Sequence, residues 1–527
     1  MTGAADYDAI VAGGGHNGLV AACYMARAGL RVLVLERRET VGGPCSTVEY
    51  FPGYRSAITN SPGSLEPKIA SELELSRHGL EWVHPDPSMV MPFPCGRTFV
   101  AWRDRARVRE ELAKFSARDV EGYGEVFRFF EEFAERIGVS LFEPPPSLAE
   151  LASRLETPED EDAFARIFLG SLRDLLDDFL ESEELKAVIG MVGIMSNRVG
   201  PSTPGSAYFL LHRPMSLVSS RNVVANDPRR QVLRGSTGLP VGGMGAITQA
   251  MRRSLEAAGG AVRTGVEVTD ILERDGRAEG VVLADGEEIR APVVVSNLSP
   301  VRTLLDLLPS SALDPALRER VARRRVEGNA FKVGIALDGL PEFPAARDRA
   351  EAEALAGCQF RISPSLDYLE AAYDDAKAGR PSQGPIIWGL TPSVADPTLA
   401  PEGKHLMTLS IFHAPYRLAE GDWSTERDRF ARVIVDKVSE YVPNLPEIAT
   451  DVRAWSPVDI EDEFGIHEGN ITHGDILPFN HFSLRPFPGW SGYRTPVRGL
   501  YLCSVGTWPG GNVSGIPGHN AAKRVLA

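Results

Sequence analysis

The first residues of the chain alternate between apolar runs and a helical pattern, which predicts a strand, a helix and a second strand. Residues 7–12 (YDAIVA) are typical of a buried parallel strand, and they lead directly into residues 13–18 (GGGHNG). Residues 19–28 are rich in Ala and Leu and predict a helix, which Gly29 is placed to end. Residues 31–35 (RVLVL) predict the second strand.

Two later stretches also carry strand and helix patterns. Residues 262–271, 280–283 and 288–290 alternate apolar with polar side chains, which predicts an antiparallel meander with a turn at Asp285 and Gly286. The C-terminus predicts a short strand, a glycine-rich turn and an alanine-rich helix, over residues 500–503, 504–515 and 516–526. That order creates a second helix N-terminus suited to an anion.

Residues 160–195 carry apolar side chains at spacings of three and four, which predicts helical structure with one apolar face. Two interpretations stay open: the face packs in a core, or it lines a tunnel or rests on a membrane. The same two interpretations apply to a cluster of phenylalanines, Phe127, Phe129, Phe130 and Phe133. Residues 345–356, rich in Ala and charge, predict a surface helix or loop.

The composition is that of an ordinary globular protein. The chain has 527 residues, of which 43% are hydrophobic and 24% charged, and this length predicts two or more domains. The formal net charge is −15. An acidic surface disfavours nucleic acid as a partner, because phosphate binding needs clustered cations.

The five cysteines are scattered and form no CxxC pair, so the sequence offers neither a redox disulfide nor a zinc framework, and no metal site is expected. An odd, sparse set fits a reducing cytoplasm. The first residues show no secretory leader, and no run of about 18 or more apolar residues predicts a transmembrane helix. We therefore expect a cytoplasmic protein, with peripheral membrane contact left open.

The opening strand–turn–helix–strand order has the chemistry of a dinucleotide site. Gly13 makes the tight turn, Gly15 lets the backbone approach a pyrophosphate, and Gly18 lets the helix pack closely on the strand. The helix N-terminus offers N–H groups and a partial positive charge to phosphates. Glu36 follows the second strand and is placed to accept hydrogen bonds from ribose hydroxyls, which disfavours NADP but does not separate NAD from FAD.

A second glycine pair follows this acidic residue. Gly42 comes six residues after Glu36 and is followed by Gly43, so the loop can pass close to a cofactor beyond the pyrophosphate. Glu36 with this pair resembles the extended flavin motif of the flavin amine oxidase and phytoene desaturase superfamily. The resemblance favours FAD over NAD.

Further segments resemble the branch of FAD-dependent phytoene desaturases and phytoene dehydrogenase-related oxidoreductases. They are residues 14–19 (GGHNGL), 240–245 (PVGGMG), 294–297 (VVSN), 469–474 (GNITHG) and 493–496 (YRTP). The resemblance therefore spans nearly the whole chain. It implies an α/β fold in which a discontinuous Rossmann-type FAD-binding domain carries an inserted, mixed α+β substrate domain.

The resemblance also implies which residues hold FAD. In relatives the C-terminal turn lies against the ribityl chain and the flavin ring, and residues 266–268 resemble the strand whose backbone contacts the adenine. The implied cofactor-binding residues are Gly13, Gly15, His16, Asn17, Gly18, Glu36, Arg37, Gly42, Gly43, Val268, Gly506, Gly511, Asn512 and Val513.

The chain departs from these relatives beside the expected flavin ring. Trp508 stands where they usually carry His, and Asn512 stands where they carry a third glycine. Trp508 is expected to form a bulky apolar pocket wall, with simple packing as the alternative. Relatives that attach FAD covalently use a C-terminal cysteine, and none follows Cys503 in the turn. We therefore expect non-covalent FAD, with Cys45 a small buried residue.

The predicted FAD-binding domain comprises residues 1–85, 235–305 and 490–527, and the predicted substrate domain comprises residues 86–234 and 306–489. The sequence contains no second strand–GxGxxG–helix unit of the kind that docks NADPH. The electron acceptor is therefore expected to be oxygen, a quinone or another diffusible acceptor.

No nucleophile or acid–base pair stands out, which fits chemistry carried by a flavin. His473 is the leading candidate for a polar role in the pocket, with a hydrogen-bonded loop histidine as the alternative. Three functions stay open. The first is a dehydrogenase or desaturase that takes hydride from a C–H bond of a largely apolar or natural-product-like molecule. The others are an oxidase of C–N or C–O bonds (or a ketolase or isomerase), and a non-catalytic flavoprotein that binds a partner or a membrane.

Overall fold

A parallel sheet forms from short apolar runs that lie far apart in the sequence. The structure, a computed structural model, describes residues 5–59, 64–220, 238–324 and 326–527. We number strands and helices along the chain. The strands of this sheet are β1 (Ala9–Ala12), β2 (Val32–Leu35), β9 (Ala261–Arg263), β13 (Val293–Ser296) and β19 (Leu500–Leu502). They pair in parallel in the order β19-β13-β1-β2-β9.

Both faces of this sheet are buried, which explains why its strands are apolar at nearly every position. Ala9 and Val11 face a core that includes α1 (His16–Arg27), α10 (Gly245–Ala257) and α19 (Ile516–Leu526). Ile10 and Ala12 face a second core, which includes an antiparallel meander of β10 (Val268–Arg274), β11 (Arg277–Leu283) and β12 (Glu288–Arg290). The predicted Rossmann-type arrangement is confirmed.

The meander begins later than the sequence pattern predicts. Residues 261–263 form β9 and extend the parallel sheet beside β2, and the meander starts only at Val268. Between them Gly265 has a φ of 70°, in the left-handed region that favours glycine, so the chain turns there from one sheet to the other. The alternating pattern thus covers two elements in different sheets.

A second, mixed sheet forms the other layer of the molecule. Its strands are β6 (Met89–Pro92), β7 (Thr98–Ala101), β14 (Phe331–Leu337), β15 (Gln359–Ile362), β16 (Ile386–Leu390), β17 (His405–Phe412) and β18 (Ala449–Trp455). The order is β18-β14-β17-β16-β15-β6-β7, and neighbours are antiparallel except β15 and β6. Two short pairs complete the described strands, β3 (Val48–Phe51) with β4 (Tyr54–Ser56) and β5 (Trp82–Val83) with β8 (Leu239–Pro240).

Residues 160–195 are helical, as predicted, but they form several short elements. These are α6 (Pro158–Phe164), a π-helical turn (Ala165–Leu169), α7 (Leu172–Phe179) and α8 (Glu183–Ile194). A new helix starts after Ser171 because its side chain accepts a hydrogen bond from the Asp174 N–H. Ile167, Leu172 and Leu176 are fully buried, so most of the apolar face packs in the core. Phe130 and Phe133, on α4 (Asp119–Ile137), are fully buried as well.

The remaining helices pack against both sheets. Residues 345–356, for which a surface helix or loop is predicted, contribute most of α13. The bounds are α2 (Pro67–Glu72), α3 (Arg105–Ala113), α5 (Leu148–Ala152), α9 (His212–Ser220), α11 (Pro300–Leu305), α12 (Pro315–Ala322), α13 (Arg349–Gly357), α14 (Leu366–Lys377), α15 (Pro392–Ala395), α16 (Trp423–Ser439), α17 (Leu445–Ile448) and α18 (Pro457–Phe464). Of these, α11 and α12, for example, contribute to the second core of the parallel sheet.

The two sheets draw on the segments that the sequence assigns to the two domains. The parallel sheet uses residues 9–35, 261–296 and 500–502, whereas the mixed sheet uses residues 89–101 and 331–455. The domain boundaries themselves stay a prediction, and the boundary at 234/235 lies outside the described residues. In the part of the chain that the structure describes, no helix is both long and apolar enough to cross a membrane.

Candidate active site

One long cavity opens where β1 and β2 end and α1 begins. Its empty volume is about 1210 Å³, including the part that is open to solvent. The carboxyl ends of parallel strands are the usual position for a ligand in such a sheet. The cavity also receives residues from the loop after β2, from the start of β10, from the turn after β13, from the loop after α18 and from the C-terminal turn.

The N-terminus of α1 is arranged to attract an anion. Its N-cap is Gly15, which has no side chain to occupy the first N–H groups, and its first turn carries no acidic residue. The turn before it needs glycine, because Gly13 has a φ of 96°. A Cβ on Gly18 would lie 2.4 Å from the Gly13 carbonyl oxygen, so the helix packs directly on the strand.

Glu36 and Arg37 are both held by backbone groups. The Glu36 carboxylate is buried and accepts hydrogen bonds from the N–H of Gly14 at 2.8 Å and of Arg38 at 3.0 Å. These bonds fix the carboxylate beside the cavity and leave it with further acceptor capacity. The Arg37 guanidinium instead donates to the carbonyls of Asp462 and Glu463, each at 3.0 Å, and ties the β2 loop to the end of α18.

The polar side chains at the start of α1 fit a bound dinucleotide. Both His16 and Asn17 line the cavity, and neither His16 Nε2 nor the side-chain amide atoms of Asn17 have a hydrogen-bond partner among the described residues. Burial lowers the pKa of His16 to about 4, so its ring is neutral at neutral pH. Buried polar atoms without partners are costly, and a cofactor bound in this cavity would supply hydrogen-bond partners for them.

His473 lines the cavity in a left-handed backbone conformation, with a φ of 52°. Its Nδ1 lies 3.1 Å from the Ser504 hydroxyl oxygen. Burial, and to a smaller extent the Arg485 cation, lower the pKa of His473 to about 3. A histidine that stays neutral at neutral pH does not act as a cationic acid, but it can hold a hydrogen bond to a bound molecule.

Trp508 lies in the core, which favours the packing alternative, and a role as a pocket wall stays a prediction. Its side chain is fully buried between His481 and Phe482, with ring centroids at 4.7 and 5.2 Å. The indole N–H donates to the Glu143 carbonyl at 3.0 Å. The C-terminal turn points this large side chain away from the cavity and presents smaller ones, such as Asn512, to it.

The structure brings most of the predicted site residues to one cavity. The described lining includes Gly13, Gly15, His16, Asn17, Glu36, Arg37, Gly42, Gly43, Val268, His473, Asn512 and Val513. Four predicted residues do not belong to that described lining, namely Gly18, Gly506, Gly511 and Trp508. Gly506 has a packing role, because a Cβ there would lie 2.5 Å from Cδ of Pro300.

A second, smaller pocket lies beside this cavity. Thr59, Ser196 and Ile471 line both spaces, so the two are adjacent. The smaller pocket has an empty volume of about 520 Å³, including its open part. Its walls are mostly apolar, from Ile58, Met195, Ala330, Phe331, Phe412 and Ile460.

The polar side of this pocket comprises residues that the sequence analysis missed. Lys332, Ser410 and Trp388 lie on neighbouring strands of the mixed sheet and line the pocket. The Lys332 ammonium nitrogen lies 3.1 Å from the Ser410 hydroxyl, and burial lowers the pKa of Lys332 to about 7. One signal was available: a lysine stands inside the buried strand FKVGIAL, where an unpaired charge is costly.

These features fit a flavin-dependent oxidoreductase, and comparison with known proteins shows this class. The family described as flavin containing amine oxidoreductase matches residues 18–461, so the chain belongs to this family. FAD is accordingly its cofactor. The side-chain atoms of His16 and Asn17 that lack hydrogen-bond partners among the described residues fit that assignment.

Individual relatives cover almost the whole chain. The mouse "Pyridine nucleotide-disulfide oxidoreductase domain-containing protein 2" is 33% identical over 559 residues, covering 99% of this chain and 93% of the relative. A lycopene-forming phytoene desaturase from Paracoccus sp. is 24% identical over 528 residues, covering 98% and 96%. The solved structure of putrescine oxidase bound to putrescine shares the fold, with a TM-score of 0.60, 13% identity and 98% coverage of each chain. The predicted family resemblance is confirmed.

Proposed function

We propose that the protein is an FAD-dependent dehydrogenase or desaturase that removes hydride from a C–H bond of a largely apolar small molecule. The observation that supports this most is the apolar pocket beside the dinucleotide cavity, with Thr59, Ser196 and Ile471 lining both. FAD, when bound, supplies the hydride acceptor. The similarity of this chain to the Paracoccus phytoene desaturase also supports the proposal.

Residues of the larger cavity have distinct roles in this proposal. Gly13, Gly15 and the N-terminus of α1 hold the pyrophosphate, and Glu36 holds the adenosine ribose. The C-terminal turn, at Asn512 and Val513, holds the flavin end. FAD is held non-covalently, and the electrons leave to oxygen, a quinone or another diffusible acceptor.

The pocket residues position the substrate and keep water out. Apolar walls such as Ile58, Phe331 and Phe412 favour an apolar chain through the area that they bury. A reacting carbon held at roughly 3–3.5 Å from its acceptor gains most of the advantage of orientation. His473 stays neutral and orients bound groups without exchanging a proton. The cytoplasmic location, with or without peripheral membrane contact, stays a prediction.

The test uses the FAD-loaded protein without oxygen. The protein is mixed separately with isoprenoid polyenes and with primary and secondary amines, and bleaching of the flavin absorbance is followed by stopped flow. We expect bleaching by members of the first panel, with a product that has lost two hydrogens from an intact carbon skeleton. Air is then readmitted, and the rate at which the flavin absorbance returns measures how fast the reduced flavin reacts with oxygen.

Two outcomes would overturn the proposal. Bleaching by amines alone would make the protein an oxidase of C–N bonds, as the family description also allows. Tightly bound FAD that no donor in either panel reduces would leave the non-catalytic flavoprotein as the function.

A further inference from the structure

We propose that the small pocket selects molecules with a carboxylate at one end, which Lys332, Ser410 and Trp388 bind while the apolar walls hold the rest. The inference rests on the proposed function, because it takes this pocket as the substrate site. It adds a chemical class: an apolar acid in preference to an amine or a pure hydrocarbon.

Strand register creates a polar row across the sheet. Lys332 on β14 pairs with Ser410 on β17, and Ser410 pairs with Trp388 on β16. Trp388 in turn pairs with Arg361 on β15. Paired residues in neighbouring strands point to the same face, so these four side chains follow one another across it. Three of them line the pocket, and Arg361 lies directly behind Trp388.

Several hydrogen-bond donors of this row lack a partner. The Trp388 indole N–H is buried and has no acceptor among the described residues. The Lys332 ammonium can donate three hydrogen bonds, and the Ser410 hydroxyl takes one of them. The Nε atom of the buried Arg361 is also unpaired among the described residues. A carboxylate accepts several hydrogen bonds at once, and so it complements this set of donors.

The charge of the pocket points to the same class of ligand. Among the described residues that line it, none is Asp or Glu, and Lys332 is the one that is basic. The guanidinium carbon of Arg361 lies 4.0 Å from the Trp388 ring centroid, and no described carboxylate forms an ion pair with it. An incoming carboxylate compensates these cations, whereas an ammonium group adds a like charge.

The test compares three probes that share one ten-carbon skeleton: geranate, geraniol and geranylamine. Each is titrated into the oxidised, FAD-loaded protein, and binding is read from the shift of the flavin absorbance. We expect geranate to bind at least about tenfold more tightly than geranylamine, with geraniol between them. Equal binding of acid and amine, or tighter binding of the amine, would overturn the inference.

Substitutions in the polar row test whether its side chains cause the preference for geranate. Lys332→Met should weaken geranate binding at least about tenfold and leave geraniol within about threefold, and Trp388→Phe should weaken geranate about three- to tenfold. Lys404→Met is the matched control: it removes the same charge from an exposed ion pair with Asp338 outside the pocket, and geranate binding should not change. Undiminished geranate binding in Lys332→Met would contradict the inference.

The design separates this inference from the proposed function. Flavin content and thermal unfolding show whether each variant folds, and Ser410→Ala replaces Lys332→Met if that variant does not retain FAD. Selective binding of geranate by a protein that no apolar donor reduces would support the carboxylate site while overturning the proposed activity. Reduction of the flavin by apolar hydrocarbons, with no preference for binding geranate, would support the proposed activity and overturn the carboxylate site.

Discussion

The dinucleotide cavity and the smaller pocket beside it are made from different parts of the chain. The cavity lies at the ends of parallel strands and beside the loop after β2, where Gly13, Gly15, Gly42 and Gly43 present no side chain. The pocket is formed by side chains in the middle of mixed-sheet strands, as Lys332 shows. In the proposed function, the first region binds the cofactor through close approach of the backbone, and the second binds the substrate through side-chain chemistry.

This difference determines how each region responds to substitution. A methyl group added at Gly18, where α1 packs on β1, meets a backbone carbonyl, which does not move aside without shifting whole elements. A side chain exchanged in the pocket leaves the strand hydrogen bonds in place, so the fold survives and the selectivity changes. Substitution of Gly18 should therefore remove FAD, and substitutions in the pocket should alter stability and ligand preference.

The largest expected effect is that of Gly18→Ala. The new Cβ would lie 2.4 Å from the Gly13 carbonyl oxygen, a backbone atom, and 3.1 Å from Asn297 Cβ. Helix α1 must then move away from β1, which opens the phosphate-binding turn. We expect less than about a tenth of the wild-type FAD content, since loss of about 1.4 kcal/mol already costs tenfold in affinity. The measurement is the flavin-to-protein ratio after gel filtration.

The control is Gly124→Ala, in α4. A Cβ at that position meets no atom within 4 Å, and the backbone is helical. Its FAD content should match wild type, and the helix should gain up to about 1 kcal/mol of stability. Full FAD content in Gly18→Ala would show that the contact between α1 and β1 does not control the shape of the phosphate-binding turn.

Lys332→Met should stabilise the fold in a pH-dependent manner. Burial lowers the pKa of Lys332 from 10.5 to about 7, so the unfolded chain binds more protons than the folded one between these pH values. The wild-type protein therefore gains stability as the pH rises through this window. Lys332→Met does not bury a charged group and so lacks the cost of desolvating one. Below pH 7 the free energy of unfolding of this variant should exceed that of wild type by up to about 5 kcal/mol.

Urea unfolding of both FAD-loaded proteins at several pH values measures this difference directly. The advantage of the variant should shrink as the pH rises from 7 towards 10.5, where the lysine is neutral in both states. A difference that does not change with pH would mean that Lys332 is not desolvated. A stabilised variant that has lost its geranate preference would show that the pocket keeps a destabilising charge for binding.

The same contrast explains what could be predicted from the sequence. The strand–glycine–helix order and Glu36 are consecutive in the chain, so their spacing alone locates the dinucleotide cavity. Lys332, Ser410 and Trp388 come together only through the register of three strands, which no local pattern encodes. Trp508 shows the same limit, because tertiary packing decides whether a turn residue faces the cavity or the core.

Trp508→Phe should produce a moderate loss of stability and little else. The substitution removes the hydrogen bond to the Glu143 carbonyl and leaves a small cavity beside His481 and Phe482. We expect a loss of about 1–3 kcal/mol in the free energy of unfolding. FAD content and the rate of flavin reduction should not change. A slower reduction in a variant of normal stability would instead assign Trp508 to the pocket wall.

The smallest expected effect is that of Cys45→Ser, which tests whether FAD is held covalently. Cys45 lines the cavity, and burial raises the pKa of its thiol to about 11. Burial also raises the pKa of Cys503. The reactive nucleophile is the thiolate, so neither side chain is prepared to attack a flavin at neutral pH. Acid precipitation should therefore release all the flavin from wild type and variant alike. Flavin that stays with the washed wild-type precipitate and is absent from that of Cys45→Ser would mean that this part of the cavity binds its cofactor covalently through a side chain, and the contrast between backbone and side-chain binding would not hold there.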